Sequence, residues 1–156
     1  MGVVGALVRF GEYIGTIRYL PMDQGLAPCE ALLRRHRIAL DPQETSWEVG
    51  RLVLAPRFRS GPDSLKRFLF LTLVDLLEED PVDKLFASCT PLLSRLYRRF
   101  GFSVLVKDAS QDAQGSYSLI QGQVPEVLRA LAASREERAQ VERLLAGRER
   151  IEALPC

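Results

Sequence analysis

The chain reads as an α/β protein: a mixed α+β sheet with helices on both faces. Three observations predict it. Short runs rich in Val, Ile, Tyr and Thr alternate with longer stretches whose apolar residues recur at helical spacing. The order of these runs is β-β-α-β-α-β-α-β-β-α-α, which interleaves helices with strands. A strand that begins at Trp47 also ends in a Pro/Ser/Gly turn and feeds directly into an apolar helix. Such a junction leaves unpaired N–H groups at the positive end of the helix, an arrangement that suits a phosphate.

A chain of 156 residues fits one domain with a sizeable core. Apolar content of 47% and charged content of 26% are ordinary for a soluble protein. A net charge of +1 argues against a dedicated nucleic-acid binder. Local basic clusters at Arg34-Arg35-His36-Arg37 and at Arg95, Arg98 and Arg99 can still attract an acidic partner. No apolar run approaches the ~20 residues that span a bilayer. The apolar start lacks a basic leader and blends into a strand pattern. Cys29, Cys89 and Cys156 are too few and too scattered for a disulfide framework or a zinc site. A reducing, cytoplasmic setting is expected, with no metal.

Residues 3–9 and 13–20 form a hairpin turning at Phe10-Gly11-Glu12, and Pro21 ends its second strand. A loop over 22–28 leads into a helix over 29–36, and Pro42 with its polar neighbours forms a second loop before the central strand. The helix over 64–79 is apolar over more than one stripe and should be largely buried. A strand over 84–89 follows, then Thr90-Pro91 as N-cap and first helical residue, and a helix over 92–100 that stops at Gly101. Strands over 103–107 and 117–121 are joined by a polar loop over 108–116. Pro125 opens a helix to about residue 133, and Ser134-Arg135-Glu136-Glu137 is a capping box that starts the last helix.

Two segments resemble a known fold. Leu54-Ala55-Pro56-Arg57-Phe58-Arg59-Ser60-Gly61 is similar to the V-x-P-x-x-R-x-x-G signature of the GNAT acyl-CoA N-acyltransferase fold, and Arg95 to Phe102 to its later Y-x-x-x-G-F segment. Ile14 to Pro21 resembles the G-x-x-R-L-L-P strand of acyl-homoserine lactone (autoinducer) synthases, and Trp47 to Leu52 their E-x-S-R-F strand. Long-chain N-acyl amino acid synthases and exosortase-associated acyltransferases share that pair. The resemblance covers about residues 3–107. It implies transfer of an acyl group from acyl carrier protein or coenzyme A to a small-molecule amine. Two departures stand out. Arg59-Ser60-Gly61-Pro62-Asp63-Ser64 loses the glycine spacing of the phosphate loop, which suits a single phosphopantetheine phosphate better than a pyrophosphate. The fold's usual first strand and helices are lacking, so a homodimer partner would wall the acceptor pocket, or the pocket is open.

Amide formation from a thioester needs a neutral amine, oxyanion stabilisation and a proton for the thiolate. Glu48 is the general-base candidate, through a water. Arg18 and Arg51 would orient it or hold an acceptor carboxylate. Glu48 and Arg51 share a face only if Gly50 hosts a β-bulge. The same three residues read equally as an ion-pair network within the sheet. Tyr97 occupies the position where the resembled fold has a thiolate-protonating tyrosine, and core packing is the competing reading. Cys89 lies on the strand expected to flank the thioester, where a buried, inert thiol is the plainer reading. Leu54, Arg57, Arg59, Ser60 and Gly61 are the candidates for holding the donor. The run at Arg34 to Arg37 would dock a carrier protein or simply be a solvated helix face. His36, the sole histidine, lies in that run, which argues against a Ser-His-Asp mechanism. The donor's arm is expected between strands that part after residue 51. The rival readings are an acetyl-CoA-dependent acetyltransferase and a non-catalytic binding module.

Overall fold

A computed structural model of the chain describes residues 2–9, 11–59 and 61–152. Its six strands and five helices follow the order read from the sequence: β1 (Val3–Arg9), β2 (Glu12–Pro21), α1 (Pro28–Arg35), β3 (Ser46–Leu54), α2 (Pro62–Glu79), β4 (Lys84–Cys89), α3 (Pro91–Arg98), β5 (Ser103–Asp112), β6 (Gly115–Gln123), α4 (Val124–Leu131) and α5 (Arg135–Glu152). A short 3-10 turn, Pro56–Phe58, follows β3.

The strands form one mixed sheet in the order β1-β2-β3-β4-β6-β5. Only β3 and β4 run parallel, because α2 carries the chain between them; every other neighbouring pair is antiparallel. Side chains alternate across the sheet. Leu85, Ala87 and Cys89 of β4 join the larger apolar core with α2, α4 and α5, whereas Phe86 joins a smaller one with Cys29 and Leu33 of α1. Helices therefore cover both faces.

The helix α2 is buried along Leu65, Phe68, Leu69, Phe70, Leu73, Val74, Leu76 and Leu77. Full burial of such side chains contributes about 1.5–3 kcal/mol each, so this contact dominates stability. Tyr19 and Thr72 fix the contact laterally through a 2.8 Å hydroxyl pair. The helix α3 starts as expected, with the Thr90 hydroxyl accepting from the Leu93 N–H. Gly101 beyond its end has φ +85°, and a Cβ there would sit 2.9 Å from the Glu126 carbonyl oxygen. The capping box at Ser134 and Glu137 forms reciprocally, at 3.1 and 2.9 Å.

One expected loop is absent. Residues 108–116 continue β5 and β6 into a longer hairpin whose turn lies between Asp112 and Gly115. Its Asp, Ser and Gln side chains stand mostly at the surface, so they carry no apolar alternation by which a strand is recognised. The helix after the central strand also starts two residues sooner, at Pro62 behind Gly61. Proline suits a first helical turn, where its missing N–H costs nothing.

Candidate functional site

The site originates in the way β3 and β4 separate. They pair only through Ser46↔Lys84, Trp47↔Leu85 and Glu48↔Phe86. Beyond Glu48 the strands diverge, three residues sooner than expected, and a cleft of about 400 Å³ opens between them. Its walls include Val49, Arg51 and Leu54 from β3, Cys89 from β4, Tyr97 from α3 and Tyr117 from β6. A groove of about 490 Å³ shares Leu54, Arg59, Leu65 and Leu93 with the cleft and continues it outward between the start of α2 and α3.

Divergence is helped by an irregularity in β3. The β2–β3 register changes between Thr16↔Val53 and Arg18↔Gly50, so Arg51 and Leu52 together oppose Ile17. The bulge is thus one residue further along than expected. Gly50 stays paired, and Arg51 itself takes the left-handed conformation at φ +49°. Nor does the bulge bring Arg51 to Glu48. Arg51 is exposed on the cleft wall, while Glu48 is 5% exposed and held by other groups.

Those groups are Arg18, whose Nη2 lies 3.5 Å from Glu48 Oε1, and the Cys29 N–H, which donates to Glu48 Oε2 at 2.6 Å. The N-cap of α1, Ala27, has no side-chain acceptor, so Glu48 reaches across from the sheet to satisfy an orphan donor of the first turn. Arg18 pairs with it at 22% side-chain exposure, and the Arg18 Nε is buried without a protein acceptor.

Tyr97 is 6% exposed and packs edge-on against Phe100 and Phe102. Burial, with a smaller contribution from Cys89, pushes its phenol well above the usual range. It therefore stays protonated throughout the physiological range. Burial likewise raises the Cys89 thiol to about 11, which makes it a poor nucleophile. The Cys29 thiol is raised further, by burial first and by the Glu48 charge second.

At the outer end, Gly61 caps α2 with φ +123°, and among the described residues no side chain caps that helix start. Arg59 folds back so that its Nε donates to the Leu54 carbonyl at 2.7 Å, which closes the turn. Arg57 pairs with Glu12 of the β1–β2 hairpin. Ser60 lies outside the described residues. In the other basic run, Arg34 reaches Glu30 at 4.0 Å and His36 Nε2 bonds to the Ala109 carbonyl at 2.9 Å. Sequence reasoning missed Leu65, Leu93 and Tyr117 as cleft residues; the unexplained apolar pair Leu92-Leu93 at the start of α3 was the available signal. No cluster of three metal-ligating side chains occurs among the described residues, and none of their helices is long and apolar enough to cross a membrane.

The fold resembles those of solved acyltransferase structures. The chain has the GNAT acyltransferase fold. TofI, crystallised with an inhibitor and MTA, superposes with a TM-score of 0.63 at 16% identity, over 87% of this chain and 72% of that one. FeeM, an N-acyl amino acid synthase from uncultured soil microbes, gives 0.62 at 18% identity, over 83% and 72%. The acyl-homoserine lactone synthase LasI gives 0.61 at 15%, over 82% and 68%. No protein-family model and no curated protein sequence matches the chain, so the likeness is one of fold.

Proposed function

We propose that the protein is an N-acyltransferase, moving an acyl group from the thioester of acyl carrier protein or coenzyme A to the amine of an amino acid or related small molecule. The parting of β3 and β4 carries this reading. Beyond Glu48 the edge of β3 that faces β4 has no strand partner among the described residues, so its backbone groups, apart from the Leu54 carbonyl that Arg59 takes, remain available to an extended pantetheine arm lying as an added strand. The arm's phosphate would sit at Gly61 and the start of α2, where Pro62 contributes no N–H but the positive helix end remains.

The acceptor nitrogen attacks the thioester carbonyl carbon, the C–S bond breaks, and the departing sulfur takes the phenolic proton of Tyr97. Burial keeps Tyr97 protonated in the resting site, so the phenol has a proton to give, although the same burial makes it a weaker acid. Arg18, whose side chain is 22% exposed, offers the accessible part of its guanidinium to an acceptor carboxylate. Glu48 has one hydrogen-bond donor and one cation already in place, and its remaining lone pairs accept a water that removes the amine's proton.

The test is thiol release from acyl-CoA and acyl-carrier protein with pooled amino acids and amines. Turnover is expected with at least one pair, and Tyr97→Phe should lower kcat by about 100-fold at unchanged thermal stability. Absence of thiol release from every pair refutes the transferase reading, whereas a Tyr97→Phe variant at full rate refutes only the role of the phenol.

A further inference from the structure

Five glycines lie within the strands, and four of them have a structural reason to be there. A Cβ on Gly5 would stand 3.1 Å from Ile17, on Gly15 2.6 Å from Val53, and on Gly122 2.7 Å from Val127. Gly115 takes φ +133°, where a side chain is strained. Gly50 is different. Its φ lies outside the left-handed region, and it stays paired with Arg18 while the bulge falls on Arg51 and Leu52. Apart from its chain neighbours, a Cβ there would meet one atom within 4 Å, Glu48 Oε1 at an ordinary 3.4 Å. Glycine weakens a strand interior, and where neither a bulge nor tight packing calls for it, the remaining cause is the close approach of a ligand. The strand that β3 resembles reads E-x-S-R-F, so Gly50 stands where that pattern carries a serine side chain.

We infer that Gly50 is a specificity-determining residue: the space left by its missing side chain is the subsite for the head group of an α-amino acid acceptor. The inference rests on the acyl-transfer reading and deepens it by placing the acceptor and narrowing its class. Gly50 lines the cleft beside Arg51, whose side chain is exposed on the same wall. Arg18 stands directly opposite Gly50 in the β2–β3 register and lies 3.5 Å from Glu48 Oε1. Glu48 is otherwise buried, so the space over Gly50 joins its carboxylate to the cleft. One anion and two cations thus border one small volume. An amine beside a carboxylate matches that arrangement, with the amine toward Glu48 and the carboxylate toward the guanidinium groups. An amine without a carboxylate has nothing to set against those two positive charges. Any side chain at position 50 would stand between the acceptor and Glu48.

The experiment compares the parent chain with Gly50→Ala and Gly50→Val. Each common L-amino acid is offered as acceptor with acyl-CoA and with acyl-carrier protein, and the best one is then compared with its decarboxylated amine. Gly50→Ala should lower kcat/KM for the amino acid about tenfold and Gly50→Val about 100-fold, since a misplacement of about 1 Å suffices for such losses. KM for the donor should stay within about twofold of the parent value. The urea midpoint of Gly50→Ala should match or exceed the parent's, because alanine suits a strand interior better than glycine. The decarboxylated amine should be used at least about tenfold less well than the amino acid. Amino-acid kcat/KM within about twofold of the parent in both variants overturns the subsite. So does a Gly50→Ala variant that loses stability and uses donor and acceptor equally poorly, which marks a structural glycine. An amine used as well as its amino acid overturns the acceptor class. Calorimetry with each amino acid alone separates the subsite from the chemistry. If no pair releases thiol, acyl transfer fails; amino-acid binding that Gly50→Val abolishes then still upholds the subsite, and no binding by the parent sinks it.

Discussion

Replacing Glu48 separates its two roles, and the geometry sets the size of each effect. The carboxylate holds the Cys29 N–H at 2.6 Å and Arg18 at 3.5 Å while 5% exposed. In Glu48→Gln the amide oxygen can keep the Cys29 bond, now neutral, but Arg18 loses its counter-charge. Breaking a fully buried pair costs about 3–5 kcal/mol. Arg18 is 22% exposed, so solvent recovers part of that, and a loss of about 1–2 kcal/mol is expected. Glu48→Ala also strands the Cys29 donor, adding about 1.5 kcal/mol for a bond to a charged acceptor. For a chain of this size, each kcal/mol shifts Tm by about 2–4 °C. The Gln variant should therefore melt about 2–8 °C below the parent, with the Ala variant lower still. Hydrogen exchange at Cys29 should quicken markedly only in the Ala variant. If both variants melt within about 1 °C of the parent, Glu48 does not hold α1, and the clamp argument is wrong.

Three further outcomes follow from other parts of the chain. Gly61 sits at φ +123° in open space, so Gly61→Ala meets no clash but pays backbone strain of about 1–3 kcal/mol; a lower urea midpoint and weaker donor binding should appear together. Alkali should destabilise the fold. The Cys89 thiol is raised to about 11 from a reference of 9.0, and Tyr19 and Tyr97 are raised by burial too. Each ionises more readily in the unfolded chain, so stability is intact below the reference values and falls as pH rises from about 9 upward; urea midpoints that do not move between pH 8 and about 10.5 would contradict this. Finally, Ser134→Ala should cost about 1 kcal/mol by removing one half of the α5 capping box, read as a lower urea midpoint with an unchanged slope.

The order of elements was legible in the sequence because each signal was local. Period-2 and helical spacing, Thr90-Pro91 and the Ser134 box all act within a few residues, and the structure places each as expected. What sequence reading misplaced depended on distant partners. The bulge sits at Arg51 because of how β3 registers against β2, not because Gly50 is flexible. The second partner of Glu48 is a backbone N–H nineteen residues away, on a helix end that nothing in the local sequence links to it. Arg57 pairs with Glu12 across the sheet, another separation that spacing does not reveal. The outer groove was missed for a different reason: exposed leucines become informative only once their exposure is known.

The narrow seam between β3 and β4 has a mechanical consequence. The sheet divides into two three-stranded halves that meet at the short seam around Trp47 and Leu85, with the free ends of the strands pointing toward the mouth. From Glu48 to Leu54 the lever is about 20 Å, so a turn of about 5° at the seam would shift the mouth by about 2 Å. Substitutions that change the bulk of Trp47 or Leu85, both buried at that seam, would therefore alter how wide the entrance stands.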